Sequence, residues 1–264
     1  EKLKSLDGKN IFIEIENFNS DDKVTFLQYL EFLVKQEIIF FIDETLKDSF
    51  PRIKTNFETP REITNSIIQV SKKNLFFLNI SFFKELGLLG VAAIQFQGYA
   101  TDILSLSGLI KFTRGRDVEI FLFDQNINEQ LVNELVEFPG ISTIYTSSLS
   151  IYNSLDKNPN KFKIQVFLKE RIGLKNINKA CGNICKSSFT YNLDFYLESQ
   201  KFNSCLYRKI AIDIDGNIKN CPSLPENYGN IKINTLSEKI KKPSFKKYRN
   251  INKDKISVCK DCEF

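Results

Sequence analysis

All six cysteines of this 264-residue chain fall between positions 181 and 262. Four share a pattern: Cys205, ten residues, Gly216, four residues, Cys221, then after a gap Cys259-Lys-Asp-Cys262. Thiolates are soft donors, and four that converge take Zn²⁺ tetrahedrally or hold an iron–sulfur cluster; the spacing does not choose between the two. A hairpin with Cys before its first strand and Cys at the end of its second brings both sulfurs to one end of the ribbon. A Cys-x2-Cys turn supplies two more. Cys181-Gly-Asn-Ile-Cys185 is a weaker pair, because no third cysteine follows nearby. Disulfides are the competing use of such a cluster. No charged-then-apolar signal segment opens the chain, so the expected compartment is the reducing cytoplasm, where clustered cysteines mean metal.

The composition removes several chemistries. The chain has no His, Met or Trp, which rules out Ser-His-Asp triads, Cys-His pairs and His-ligated zinc in this chain. Hydrophobic residues make up 42% and include 24 Phe, ample for a packed core. No apolar run approaches the ~18 residues of a membrane span. Net charge is +5, with residues 201–264 carrying 14 Lys+Arg against 7 Asp+Glu. Those basic residues are not interleaved with a nucleic-acid motif, so neither membrane nor nucleic acid is an expected partner. There is no Walker A and no Gly-x-Gly-x-x-Gly, hence no support for nucleotide binding. Asp213-x-Asp215-Gly216 has the start of a calcium loop without its later ligands, and reads as turn chemistry.

Three zones must position these residues. Residues 1–61 pair a strand-like run, Ile11–Ile15, with an amphipathic helix in which Val24, Leu27, Leu30, Val34 and Ile38 keep helical spacing. Residues 62–178 alternate strands and helices. Strands are expected at Ile67–Val70, Gly90–Phe96, Val118–Phe123, Ile141–Tyr145 and Phe162–Leu168, and a helix at Thr101–Phe112. Asn126-Ile-Asn-Glu129 has capping-box spacing for a helix running through Val136. Such alternation predicts an α/β body of parallel βαβ crossovers, an open sheet or a partial barrel. Residues 179–264 form a small Cys-rich lobe with a hairpin over Lys209–Cys221, turning at Gly216, and a short helix opened by Thr235-Leu-Ser-Glu238 and cut by Pro243.

The cysteine pattern resembles the front half of a SPASM domain, the auxiliary iron–sulfur domain of many radical-SAM peptide maturases. Asn203-Ser-Cys-Leu-Tyr-Arg-Lys-Ile210, Gly216-Asn-Ile-Lys-Asn-Cys-Pro-Ser223, Tyr228-Gly-Asn-Ile231, Phe245-Lys-Lys-Tyr248 and Val258-Cys-Lys-Asp-Cys-Glu-Phe264 resemble, more narrowly, the SPASM-domain peptide maturase of grasp-with-spasm systems. Those proteins are encoded beside an ATP-grasp ligase and a short precursor peptide. The resemblance implies a [4Fe–4S] cluster in the full-length protein, with Cys205, Cys221, Cys259 and Cys262, and Cys181 and Cys185 as further candidates, for ligands. It implies a body like a degenerate radical-SAM half-barrel. The family pattern continues with cysteines beyond Phe264 and usually begins before Glu1, so a chain truncated at both ends is expected.

One departure bears on mechanism. Cleavage of S-adenosylmethionine needs Cys-x3-Cys-x2-Cys, and Cys185 is followed by Lys186-Ser187-Ser188. Two functions follow. One is a maturation protein for a ribosomally synthesised, post-translationally modified peptide, working with the ligase, with residues 1–61 contributing to peptide docking by β-augmentation; whether it is itself an enzyme is left open, and S-adenosylmethionine cleavage is not expected. The alternative is a non-enzymatic scaffold stapled by zinc.

Overall fold

The computed structural model describes residues 6–50, 56–113, 117–156, 164–168, 173, 176–177, 192–257 and 260. The chain divides into two compact units, Glu1–Asn56 and Phe57–Phe264.

The first unit is helical over its described residues. Helix α1 spans Ile11–Glu16 and helix α2 spans Ser20–Lys35, followed by a 3₁₀ turn at Glu44–Ser49. The Ile11–Ile15 run is therefore helix rather than the expected strand. Its alternating pattern fits either state, and the preceding Asn10 decides: its side chain accepts a hydrogen bond from the Phe12 N–H at 3.0 Å and caps a helix. Asn19 caps α2 in the same way through the Asp22 N–H at 2.9 Å. In α2 the buried residues are Leu30 and Leu33, whereas Val24, Leu27 and Val34 of the expected apolar face are exposed, and Ile38 lies beyond the helix.

The second unit is a mixed α/β sheet. After strand β1 (Asn65–Gln69) come helix α3 (Ile80–Leu89), β2 (Ala93–Gly98), α4 (Ala100–Leu104), β3 (Asp117–Leu122), α5 (Glu129–Val136), β4 (Ile141–Thr146), α6 (Leu149–Asp156) and β5 (Ile164–Phe167). Helix α7 (Leu193–Lys201) leads into the hairpin β6 (Lys209–Ile212) and β7 (Ile218–Lys219), and the short helices α8 (Leu236–Ile240) and α9 (Pro243–Lys246) follow. The sheet order is β5-β4-β3-β2-β1-β6-β7, parallel throughout except for the antiparallel β6–β7 pair. Successive strands from β1 to β5 are neighbours, and the order then reverses, because the chain returns to the other side of β1. The hairpin joins the same sheet, with β6 lying parallel to the free side of β1.

Two local expectations are corrected. The Thr101–Phe112 helix is broken into α4 and a 3₁₀ segment, Ser107–Phe112. Helix α5 is capped by Asn128, through the Leu131 N–H at 2.9 Å, and not by Asn126. Pro243 does end α8, and it also opens α9 from the first turn, where its missing N–H costs nothing.

Alternation along the strands sends Ile68, Ile94, Phe96, Val118, Ile120, Leu122 and Ile144 into one core with Phe83, Leu86, Ile103, Val132 and Leu135 of the helices. Each such side chain, fully buried, contributes about 1.5–3 kcal/mol. The opposite side of the strands is different in kind. It carries Gln69, Gln95, Gln97, Glu119 and Tyr145, where a parallel sheet covered on both faces would read as Val and Ile.

Candidate functional site

Cys205 is held by its neighbours in the turn that precedes β6. Asn203 Oδ1 accepts hydrogen bonds from the backbone N–H groups of Cys205 (3.1 Å) and Leu206 (3.2 Å). Behind this turn lies Arg249, only 4% exposed. Its guanidinium donates to the carbonyls of Tyr207 and Glu62 and lies over the rings of Tyr207 and Phe245. The backbone of Asn203 in turn donates to the Arg249 carbonyl at 2.9 Å. A buried cation that gives its N–H groups to carbonyls is satisfied without a carboxylate, and here it fixes the segment carrying the cysteine.

Cys221 comes from the other strand of the hairpin. The register pairs Ala211 with Lys219 and Ile212 with Ile218, and just past the end of this ladder Cys221 lines a cavity together with Lys209. The turn between the strands is built as its sequence requires. Asp213 Oδ1 accepts from the N–H groups of Asp215 (3.0 Å) and Asn217 (2.9 Å), which makes the Asp-x-Asp-Gly segment a turn. Gly216 sits at φ +85°, and a Cβ there would lie 3.2 Å from Asn230 Oδ1 and from Ile231 Cγ1. Beyond the hairpin, Tyr228-Gly229 clips onto β7, with the Ile218 N–H reaching the Gly229 carbonyl at 2.8 Å.

Cys205 is exposed and Cys221 buried, and both line the polar side of the sheet. Cys205 borders a cavity of about 250 Å³ with Ile67, Gln95, Glu119 and Lys209. Cys221 borders a second, of about 140 Å³, with Gln95, Gln97, Phe121 and Lys209. Lys209, Ile67 and Gln95 are common to both. Lys209 Nζ donates to Cys205 Sγ at 3.3 Å. Cys259 and Cys262, and the pair Cys181 and Cys185, lie outside the described residues. Among the described residues no three of the His, Cys, Asp or Glu side chains cluster as a metal site.

The cavity floor is part of a hydrogen-bonded row of side chains across three strands. Gln69 Nε2 donates to Gln97 Oε1 (3.2 Å), Gln97 Nε2 to Gln95 Oε1 (2.7 Å), and Gln95 Nε2 to Glu119 Oε2 (2.7 Å). Tyr145 stands beside Glu119 at the end of the row. Burial, then the Glu119 charge, pushes the Tyr145 phenol above its ordinary range, which keeps it protonated. Its ring stacks on Phe121 with centroids 4.0 Å apart. None of these floor residues is among those singled out by sequence. A signal is nonetheless present: Gln95-Phe96-Gln97 and Glu119-Ile120 alternate polar with apolar inside strands that otherwise read as buried on both sides.

The site is thus a thiol-bearing hairpin fused to the edge of a parallel sheet, opening onto an amide-rich floor; that is the layout of an α/β protein with a cysteine lobe fit for a metal. Residues 204–263 match SPASM, an iron–sulfur cluster-binding domain. No curated protein and no solved structure matches the chain significantly. The residues fit an iron–sulfur group on two counts. Cys205 and Cys221 are presented from the same hairpin toward adjoining cavities, and an N–H donor stands against one sulfur, the kind of contact that tunes a cluster thiolate. No helix among the described residues is long and apolar enough to cross a membrane.

Proposed function

We propose that this chain is a maturation protein for a ribosomally synthesised, post-translationally modified peptide, of the grasp-with-spasm type. It acts beside an ATP-grasp ligase, binds the precursor peptide, and carries an auxiliary [4Fe–4S] cluster on Cys205, Cys221, Cys259 and Cys262. The observation that carries the reading is the iron–sulfur domain match over 204–263, coinciding with a hairpin that turns two of the matched cysteines toward one polar cavity system. When bound, such a cluster supplies one-electron chemistry.

The chain's own residues supply the rest. Carboxamides both donate and accept, so Gln69, Gln95 and Gln97 complement the amide groups of a peptide. Glu119 offers a carboxylate to N–H donors beside the protonated Tyr145. Residues 1–56 add a helical unit rich in exposed apolar side chains, among them Phe12, Phe32, Phe40 and Phe41, suited to a peptide's apolar face. The loop after β1, Ser71–Asn79, contains no cysteine where a radical-SAM body places its three-thiolate loop. S-adenosylmethionine cleavage is therefore not assigned to this chain.

Anaerobic reconstitution of the full-length protein tests the reading. Iron and sulfide in equal amounts, with an absorbance band at about 400 nm, are expected. A colourless protein that retains zinc would overturn the cluster. Titration with the precursor peptide and ligase encoded beside the gene should show binding to at least one. Incubation with S-adenosylmethionine and a reductant should release no 5′-deoxyadenosine.

A further inference from the structure

Lys209 is the charged side chain among the three residues common to the cavities beside both described cysteines. Its Nζ donates to Cys205 Sγ, it shares a cavity wall with Cys221, and it lines both cavities. Other lysines nearby take stronger acceptors. Lys73 pairs with Asp215 at 2.8 Å, and Lys219 reaches the Pro222 carbonyl at 3.4 Å. Among the described residues no carboxylate pairs with Lys209. A thiol sulfur is a weak acceptor, and an ammonium ordinarily turns to a carboxylate or to water instead. The contact makes chemical sense when that sulfur carries the negative charge of a metal-bound thiolate.

We propose that Lys209 is a positioning residue for the iron–sulfur cluster. It donates to the ligand sulfur of Cys205, orients that side chain toward the cavity, and places a positive charge beside the cluster. Because reduction adds negative charge, this arrangement favours the reduced form and raises the reduction potential. The inference rests on the iron–sulfur reading above.

The experiment is a redox titration, followed by electron paramagnetic resonance, of the anaerobically reconstituted full-length protein and its variants. K209M should load the same iron per chain as the parent but reduce less readily. The expected loss is about tenfold in the reduction equilibrium, which is about 59 mV for one electron. K209R should restore most of the shift. K219M removes an equal charge from the same face of the hairpin without touching Cys205, and should move the potential far less. If K209M fails to fold, K209Q is titrated in its place. A potential unchanged in K209M, or lowered equally in K219M, overturns the role of Lys209 while leaving the cluster standing. A parent protein that loads no cluster overturns both.

Discussion

At the scale of single residues, the support beneath the cysteines is electrostatic and lopsided. Glu198 of α7 is 2% exposed and faces Arg208, one residue from Lys209. Burial pushes its carboxyl upward, and Arg208, pulling the other way, does not fully offset it. A carboxyl whose folded pKa lies above its unfolded one binds its proton more tightly when folded. Its contribution is then greatest at low pH and is lost as pH rises from the ordinary value of 4.5 through the raised folded value. Glu198→Gln cannot titrate. Urea melts across that window should show the variant gaining on the parent as pH rises and then levelling off. A variant that instead falls steadily behind the parent would mean that the Arg208 pair outweighs desolvation.

Elements explain why the hairpin belongs to the sheet. Asn74, fully buried in the turn after β1, donates to the Gln69 carbonyl (2.7 Å) and to the Asp213 carbonyl (2.8 Å) and accepts from the Ser71 N–H (3.0 Å). Ser71 Oγ adds a bond to the Ile214 carbonyl at 2.8 Å. Asn74→Ala strands these buried groups and should cost about 2–4 kcal/mol. Hydrogen exchange should quicken at the hairpin turn, around Gly216 and Asn217, more than in β3; uniform quickening would deny the turn any special part in docking the hairpin. Much of this layer is legible in the sequence. Short apolar runs between helical segments locate β1 through β5, and Asp-Gly with flanking Ile residues locates the hairpin, because both signals are local. The strand order and the union of β6 with β1 are not legible, since they depend on pairings between segments far apart along the chain. Ile11–Ile15 misleads because so short an alternation satisfies both periods, and only the Asn10 cap separates them. The floor glutamines escape notice when GVAAIQF is weighed as one apolar run and not residue by residue.

On the scale of the whole molecule, the two compact units divide the work unequally. Among the described residues, every member of the principal core lies between Ile63 and Phe245, and none comes from Glu1–Asn56. The second unit, at roughly 200 residues, is of a size that buries most of the surface its unfolded chain exposes, whereas a unit of under about 60 residues is marginal alone. The cysteine hairpin, the Arg249 support and the polar floor all lie in the second unit. Removing residues 1–56 should therefore leave residues 57–264 folded, with a melting temperature within a few degrees of the parent, given that each kcal/mol moves a domain of this size by about 2–4 °C. Iron per chain after reconstitution should be unchanged. Precursor-peptide affinity should fall, because the exposed aromatic side chains of the helical unit go with the deletion. Calorimetry, iron analysis and peptide titration on the same two proteins read these consequences separately. Collapse of the truncated chain would show that the core depends on residues 1–56. An intact, cluster-loaded truncation that binds the peptide as tightly as the parent would move recognition entirely onto the sheet's polar floor, with Gln95 and Glu119 as the residues to substitute next.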